Sequence, residues 1–192
     1  MAKDLAERRL ASEEVYSGRL LKVRRDRVRL PDGTESAREY IRHPGAVAIV
    51  PLFEDGRVLL ERQFRYPLER VFVEIPAGKL EPGEDHLETA RRELLEETGY
   101  TAEDWRHLAT LYPSVGYSNE RVELFLARGL KHEGHPGEDG EFIECVRIGL
   151  DEALQMVGHG EITEAKTILG IFWAERIRAG ARDYDQGLGT RG

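Results

Sequence analysis

Apolar residues change their spacing several times along this chain, and each change predicts a change of element. Residues 1–10 are rich in charge and predict a frayed helix. From Val15 to Ile41 the pattern is strand-like. The run LKVRRDRVRL alternates apolar and charged residues with period two, and Pro31-Asp32-Gly33 supplies a turn before a second strand. A small antiparallel N-terminal sheet is expected. Gly45 to Phe53, GAVAIVPLF, is continuously apolar, as in a strand buried on both faces. Glu54-Asp55-Gly56 then turns the chain into a return strand, RVLLERQFRY. A short strand, FVEIPAG, ends at Pro76, and further strands are expected in WRHLATLYPS, RVELFLARGL and EFIECVRIGL.

The spacing becomes helical at three places. Over residues 86–98, Leu87, Ala90 and Leu94 form one apolar stripe. Asp85 and Glu88 make a D-x-x-E capping box at its start, and Gly99 stands where a left-handed C-cap belongs. A helix near 151–158 is expected with Asp151 as its cap. Another near 165–179 carries Ile168, Ile171, Phe172 and Ile177 at helical spacings. Strands and helices in mixed order predict an α/β (α+β) fold, a sandwich with a mixed sheet rather than a regular βαβ array. The expected division is an N-terminal β extension over 1–44, a main domain over 45–180 and a flexible glycine-rich tail over 181–192.

The first helix breaks a rule. Glu93, Glu96 and Glu97 crowd its C-terminal end, where the helix already carries partial negative charge. At i, i+3 and i+4 they share an arc and repel one another. Taken alone, a charge run is a solvated face, but what this arc lacks is a cation. Oxygen-only ligands select hard ions such as Mg²⁺ or Mn²⁺ over Zn²⁺. Pro76-Ala77-Gly78 can fold back over the helix, and Gly78 lets backbone come close. Such a cluster characteristically handles phosphates, whose oxygens complete the ion's shell.

Charge narrows the partners. The 192 residues carry a formal charge of -8, which argues against binding nucleic acid through its phosphates. Cys145 is the single cysteine, so no internal disulfide forms, and a reducing cytoplasm is expected. The opening MAKDLAERRL has no apolar signal core, and no run approaches the roughly 20 apolar residues of a membrane span. Cys145, Trp105 and Trp173 read as core residues. Ser114 has no His–Asp relay, and no zinc motif is present.

The run from Gly78 to Tyr100 resembles the Nudix box: G, five residues, E, seven residues, R-E-apolar, one residue, E-E, one residue, G-apolar. Gly78, Glu84, Arg92-Glu93-Leu94, Glu96-Glu97, Gly99 and Tyr100 fill the fixed positions. HPGAVAIVPL, VLLERQFRYP, EIPAGKLEPGE, GYSNE and GEITEAKT extend the resemblance to the ADP-ribose pyrophosphatase branch of Nudix hydrolases. It covers most of residues 15–175.

That resemblance implies a Nudix-type α/β/α sandwich and Mg²⁺-dependent hydrolysis of ADP-ribose to AMP and ribose 5-phosphate, with Mn²⁺ as a possible substitute. It also implies a homodimer whose N-terminal sheet helps build the partner's site. Glu93 and Glu97 correspond to metal ligands, Glu96 to a ligand or a neighbour of one, and Ala77 to a carbonyl donor. Glu84 and Arg92 correspond to organisers of loop and carboxylates. Glu141, with Asp139 and Glu138 as alternates, corresponds to a base or additional ligand, a role the box glutamates also compete for. Arg65, Lys79, Ser114 and Glu120 correspond to substrate-binding positions, and Arg38 to a residue reaching the neighbouring subunit's site. One departure concerns substrate. Ser114-Val115-Gly116 stands where ADP-ribose hydrolases often carry Ser-Pro-Gly, and Tyr117 falls near a tyrosine of dinucleoside polyphosphate hydrolases. GDP-mannose or dinucleoside polyphosphate hydrolysis is the alternative within enzymes. A non-catalytic nucleotide-sugar sensor is the alternative class.

Overall fold

The computed structural model describes residues 4–134 and 142–180. The chain forms two compact units, one from Met1–Gly45 with Tyr112–Val122 and the other from Ala46–Leu111 with Glu123–Gly192.

In the first unit, β1 (Arg8–Ser17), β2 (Lys22–Arg29) and β3 (Glu35–Ile41) form an antiparallel sheet in the order β1-β2-β3. The expected N-terminal helix is therefore a strand from Arg8 onward. A short charged helix has a costly nucleus and no apolar stripe to dock. As a strand, the same residues gain ladder hydrogen bonds to β2 and cross-strand ion pairs such as Glu13–Arg25 at 3.1 Å. Asp26 is the buried polar residue of this sheet. It accepts from the Ser12 hydroxyl and from the Tyr40 hydroxyl.

The second unit contains β4 (Ala46–Pro51), β5 (Arg57–Arg65), a 3₁₀ turn (Tyr66–Leu68), β6 (Arg70–Glu74), β7 (Ala77–Lys79) and α1 (His86–Thr98). It continues with β8 (Tyr100–Thr101), β9 (Asp104–Leu111), β10 (Val122–Arg128), β11 (Lys131–His132), β12 (Ile143–Gly149), α2 (Leu150–His159) and α3 (Ala165–Arg178). The strands form sheets in the orders β7-β4-β10-β9 and β12-β5-β6, with β11-β8 as a short pair. All of β4 is buried, as its apolar run requires. Val47 and Ile49 join Ala90 and Leu94 of α1, together with Leu59, Phe125 and Ala127, in one core cluster. Val50 meets α3 at Gly170. Helices therefore cover β4 from both faces, which is the α/β/α sandwich. Among the described residues, no helix is long and apolar enough to cross a membrane.

Caps differ from the sequence reading in instructive ways. Asp85 caps α1, accepting from Leu87 N–H at 2.8 Å, but Glu88 turns outward to Arg91 at 2.8 Å, so the reciprocal box does not close. Gly149, not Asp151, precedes α2, and Asp151 pairs instead with Arg178 of α3. Cys145 is exposed on β12 rather than in the core.

The cap of α3 ties two distant segments together. Glu164 accepts from Lys166 N–H at 3.1 Å, Thr167 N–H at 2.8 Å and the Thr167 hydroxyl at 2.9 Å. That hydroxyl in turn accepts from Ile75 N–H at 2.9 Å, just before Pro76. Burial pushes the Glu164 carboxyl upward, but Lys166 and the two backbone N–H groups outweigh it and hold it below its ordinary 4.5. A depressed carboxyl contributes stability above its unfolded value and loses it as pH falls through the folded one. Glu164→Ala is expected to cost about 1 kcal/mol at pH 7. In denaturant titrations, the gap from wild type should narrow steadily below pH 4.5.

Candidate active site

The site begins where α1 ends. Leu94 and Ala90 fix the helix on β4, and Gly99, in the left-handed region at φ 71°, stops it by donating to Leu95 O. With that face fixed, Glu93, Glu96 and Glu97 are presented at its flank, toward β7 and the loop beyond it. Glu97 Oε2 accepts from Ala77 N–H at 3.0 Å. Glu93 lies against Gly78, and a Cβ on Gly78 would overlap the Glu93 carboxylate. Glycine at 78 leaves the space of a side chain to that carboxylate, which any larger residue would displace.

Arg92 organises the remainder. Its Nε and Nη2 donate to the two oxygens of Glu84 at 3.0 and 3.1 Å, and its Nη1 donates to Glu96 at 2.8 Å. Glu93 stands 3.0 Å from the same Nη1, and Nη2 also reaches the Lys79 carbonyl at 3.4 Å. The forked pair with Arg92 holds the Glu84 carboxyl down at about 2, and the Arg92 charge is reinforced in return. The loop over residues 79–85 is thereby fastened to the helix that follows it.

A second group lies on the sheet β12-β5-β6. Arg65 donates from Nε and Nη2 to Glu74 at 2.9 and 2.8 Å. Glu74 is 3% exposed, as is Glu61, which faces it across β5 and β6. Sequence reading singled out neither glutamate. The available signal was a carboxylate set inside an apolar run, VLLE and FVEIP, where a buried charge requires a partner.

The other expected residues are placed as follows. The Lys79 side chain is exposed. Arg38, Ser114 and Glu120 belong to the first unit. Arg38 pairs with Glu7, and Glu120 lies 3.9 Å from His43. The Ser114 carbonyl accepts from Tyr117 and Ser118 N–H, closing the turn that carries GYSNE. Asn119 of that stretch accepts from His43 N–H at 2.7 Å and stitches it to the end of β3. Glu141, Asp139 and Glu138 lie outside the described residues.

The family profile described as NUDIX domain matches residues 42–166. The chain belongs to the Nudix family. Residues 7–41, which hold the N-terminal sheet, match the profile described as nucleoside diphosphate sugar hydrolase N-terminal domain. This Nudix chain is 43% identical over 171 residues to the ADP-ribose pyrophosphatase of Bacillus subtilis (strain 168), covering 88% of this chain and 92% of that one. It is 42% identical over 173 residues to the methanol dehydrogenase activator of Bacillus methanolicus, covering 89% and 94%. Among solved structures it resembles an ADP compounds hydrolase with a TM-score of 0.84 at 27% identity, covering 94% of this chain and 99% of that one.

Nudix hydrolases use divalent metal ions. Among the described residues, no three His, Cys, Asp or Glu side chains converge closely enough to close a metal shell alone. The donors at the cradle are nonetheless hard oxygens, and the space that Gly78 leaves is filled by the Glu93 carboxylate. An ion that keeps several waters and takes the rest of its ligands from phosphate fits such a partial protein shell.

Because only the mobile end of Glu93 opposes a new Cβ, Gly78→Ala is expected to leave the thermal midpoint within a few degrees of wild type. It should turn the Glu93 carboxylate away and lower kcat by about a hundredfold. Paired melting curves and turnover measurements check this.

Proposed function

We propose that this protein hydrolyses the diphosphate of ADP-ribose, or of a closely related nucleoside diphosphate sugar, with Mg²⁺ as the resident ion. The observation that carries the proposal is the apposition of Glu93 and Glu97 with Ala77–Gly78, secured by Arg92. The similarity to an ADP-ribose pyrophosphatase along nearly the whole chain supports the substrate class.

Glu93, Glu97 and the Ala77 carbonyl would hold the ion, with Glu96 beside them on Arg92. When bound, the ion supplies an activated water and neutralises charge on the diphosphate. The chain's own residues do the rest. Arg92 and Glu84 keep the carboxylates and the loop in fixed register, so little reorganisation is left for the reaction. Arg65, held by Glu74, presents a fixed positive charge to the substrate phosphates. A carboxylate oxygen of the cluster takes the proton of the attacking water as one P–O bond of the bridge breaks. AMP and ribose 5-phosphate leave.

The same reading includes a homodimer. All ten residues of β1 are exposed, among them Leu10, Val15 and Tyr16. On the second unit, Phe64, Tyr66, Leu68 and Val71 leave an apolar hairpin face exposed. Contiguous apolar surface of this kind marks association sites. The single thiol fits a cytoplasmic setting, and the charge of -8 argues for a small-molecule substrate rather than nucleic acid.

With Mg²⁺, ADP-ribose is expected to be the best substrate in a panel that includes GDP-mannose and dinucleoside polyphosphates, with AMP and ribose 5-phosphate resolved by chromatography. Glu97→Gln should lower kcat at least a hundredfold in saturating Mg²⁺; near-normal turnover would remove Glu97 as a ligand. ADP-ribose binding without turnover in the wild type would make the protein a sensor instead. Light scattering on the eluting protein should give twice the mass of one chain.

A further inference from the structure

Tyr100 follows Gly99 and fills the last position of the box, which asks only for a bulky apolar side chain. Its ring is 6% exposed and packs in the core cluster with Ala90 and Leu94 of α1. It stands edge-on to Phe53 at 5.7 Å and to His132 at 4.9 Å. Its hydroxyl does something that packing does not require: it accepts from Nη2 of Arg147 on β12. The same guanidinium lies 4.6 Å from the Phe53 ring centroid and 5.3 Å from that of Tyr100, within the range of cation–π attraction. A phenylalanine would fill this part of the core equally well and accept nothing from Arg147.

Arg147 stands on a fixed strand, opposite Leu59 in the pairing of β12 with β5. Cys145, two residues earlier, leaves β12 on the same side, and its thiol donates to the Glu97 carbonyl at 3.7 Å. Glu133 N–H donates to the Gly99 carbonyl at 2.9 Å. The end of α1 is thus gripped at Glu97, Gly99 and Tyr100. Such a grip has work to do. The last carbonyls of a helix have no partner within it, helix ends fray, and this end carries like charges at i, i+3 and i+4. Glu97 is the penultimate residue of α1, whereas Glu93 lies a full turn inside. Fraying of the last turn would therefore take the Glu97 carboxylate off Ala77 N–H and leave Glu93 in place.

We infer that Arg147 and the Tyr100 hydroxyl form a positioning clamp that holds the last turn of α1, and with it Glu97, in the geometry the cation site needs. The clamp acts through Glu97 rather than by contact with the substrate. Its consequence for the ion rests on the divalent-ion reading of the site given above; its hold on the helix end does not.

The test compares full-length wild type, Tyr100→Phe, Arg147→Met and Arg147→Lys at a temperature where melting curves show each to be folded. Amide hydrogen exchange without metal reports on the last turn of α1, and calorimetric titration of Mn²⁺ reports on the cation site. In Tyr100→Phe and Arg147→Met, the N–H groups of Glu96, Glu97 and Thr98 should exchange faster. Mn²⁺ should bind them at least about tenfold more weakly, as when other supports of a metal ligand are removed. Arg147→Lys, which keeps a cation beside the rings, should fall between these and wild type. A group that merely stabilises the core would lower the melting temperature and leave exchange of that turn and Mn²⁺ affinity unchanged. That result in Tyr100→Phe overturns the inference, as does faster exchange with Mn²⁺ affinity equal to that of wild type. Should Arg147→Met fail to fold, Tyr100→Phe decides alone. Wild type that takes up no Mn²⁺ would remove the divalent-ion reading itself, and exchange of the last turn would still decide the clamp.

Discussion

The Arg92 guanidinium decides where the carboxylates of α1 point. Like-charge pairs one turn apart on a helix cost only about 0.2–0.5 kcal/mol each, while burying a side chain such as Leu94 contributes about 1.5–3 kcal/mol. The helix therefore forms whether or not its glutamates are comfortable. What burial cannot fix is their direction. Arg92 does so by donating to Glu84 and Glu96, standing beside Glu93 and reaching the Lys79 carbonyl. Loop, helix end and carboxylate cluster share this one hub, so weakening it would disturb all three.

Much of this frame was legible because its signals are local. Asp85 and Gly99 bracket α1 by cap chemistry that needs no tertiary context, and Gly78 announces a close approach by lacking a side chain. The continuous apolar run of β4 predicted burial on both faces. The failures came where a distant partner decides. Residues 1–10 read as a frayed helix, yet β2 makes the chain from Arg8 onward a strand through a ladder that no window of sequence displays. Asp151 has the right chemistry for a cap, but Arg178 of α3 claims it. Glu88 completes a capping box on paper and pairs with Arg91 in the fold.

The candidate site shows the same division. The helix glutamates and Arg92 were readable from spacing. Glu61, Glu74, Glu164 and Thr167 were not, because each owes its role to register between segments far apart in the chain. Thr167 and Ile75 are 92 positions apart in sequence and share one hydrogen bond. That bond, with the Glu164 cap behind it, anchors α3 to the strand that turns into Pro76-Ala77. The GEITEAKT stretch thus has a physical task in this fold: it fixes the chain immediately before the cradle from the far face of the sandwich.

These constraints make the cradle a property of the folded core rather than of the box. One wall is α1, held to β4 by Leu94 and Ala90; the other is the turn from β6 into β7, held by Thr167. They meet where Ala77 N–H donates to the Glu97 carboxylate. A peptide with the box sequence would keep every carboxylate but lose both anchors, and its glutamates would separate to relieve their repulsion. Strong binding of a divalent ion needs the carboxylates held together beforehand, and here sandwich packing does that. Ion affinity and the folding of the second unit are therefore coupled, and substitutions far from the glutamates that loosen either wall act on the site through geometry rather than charge.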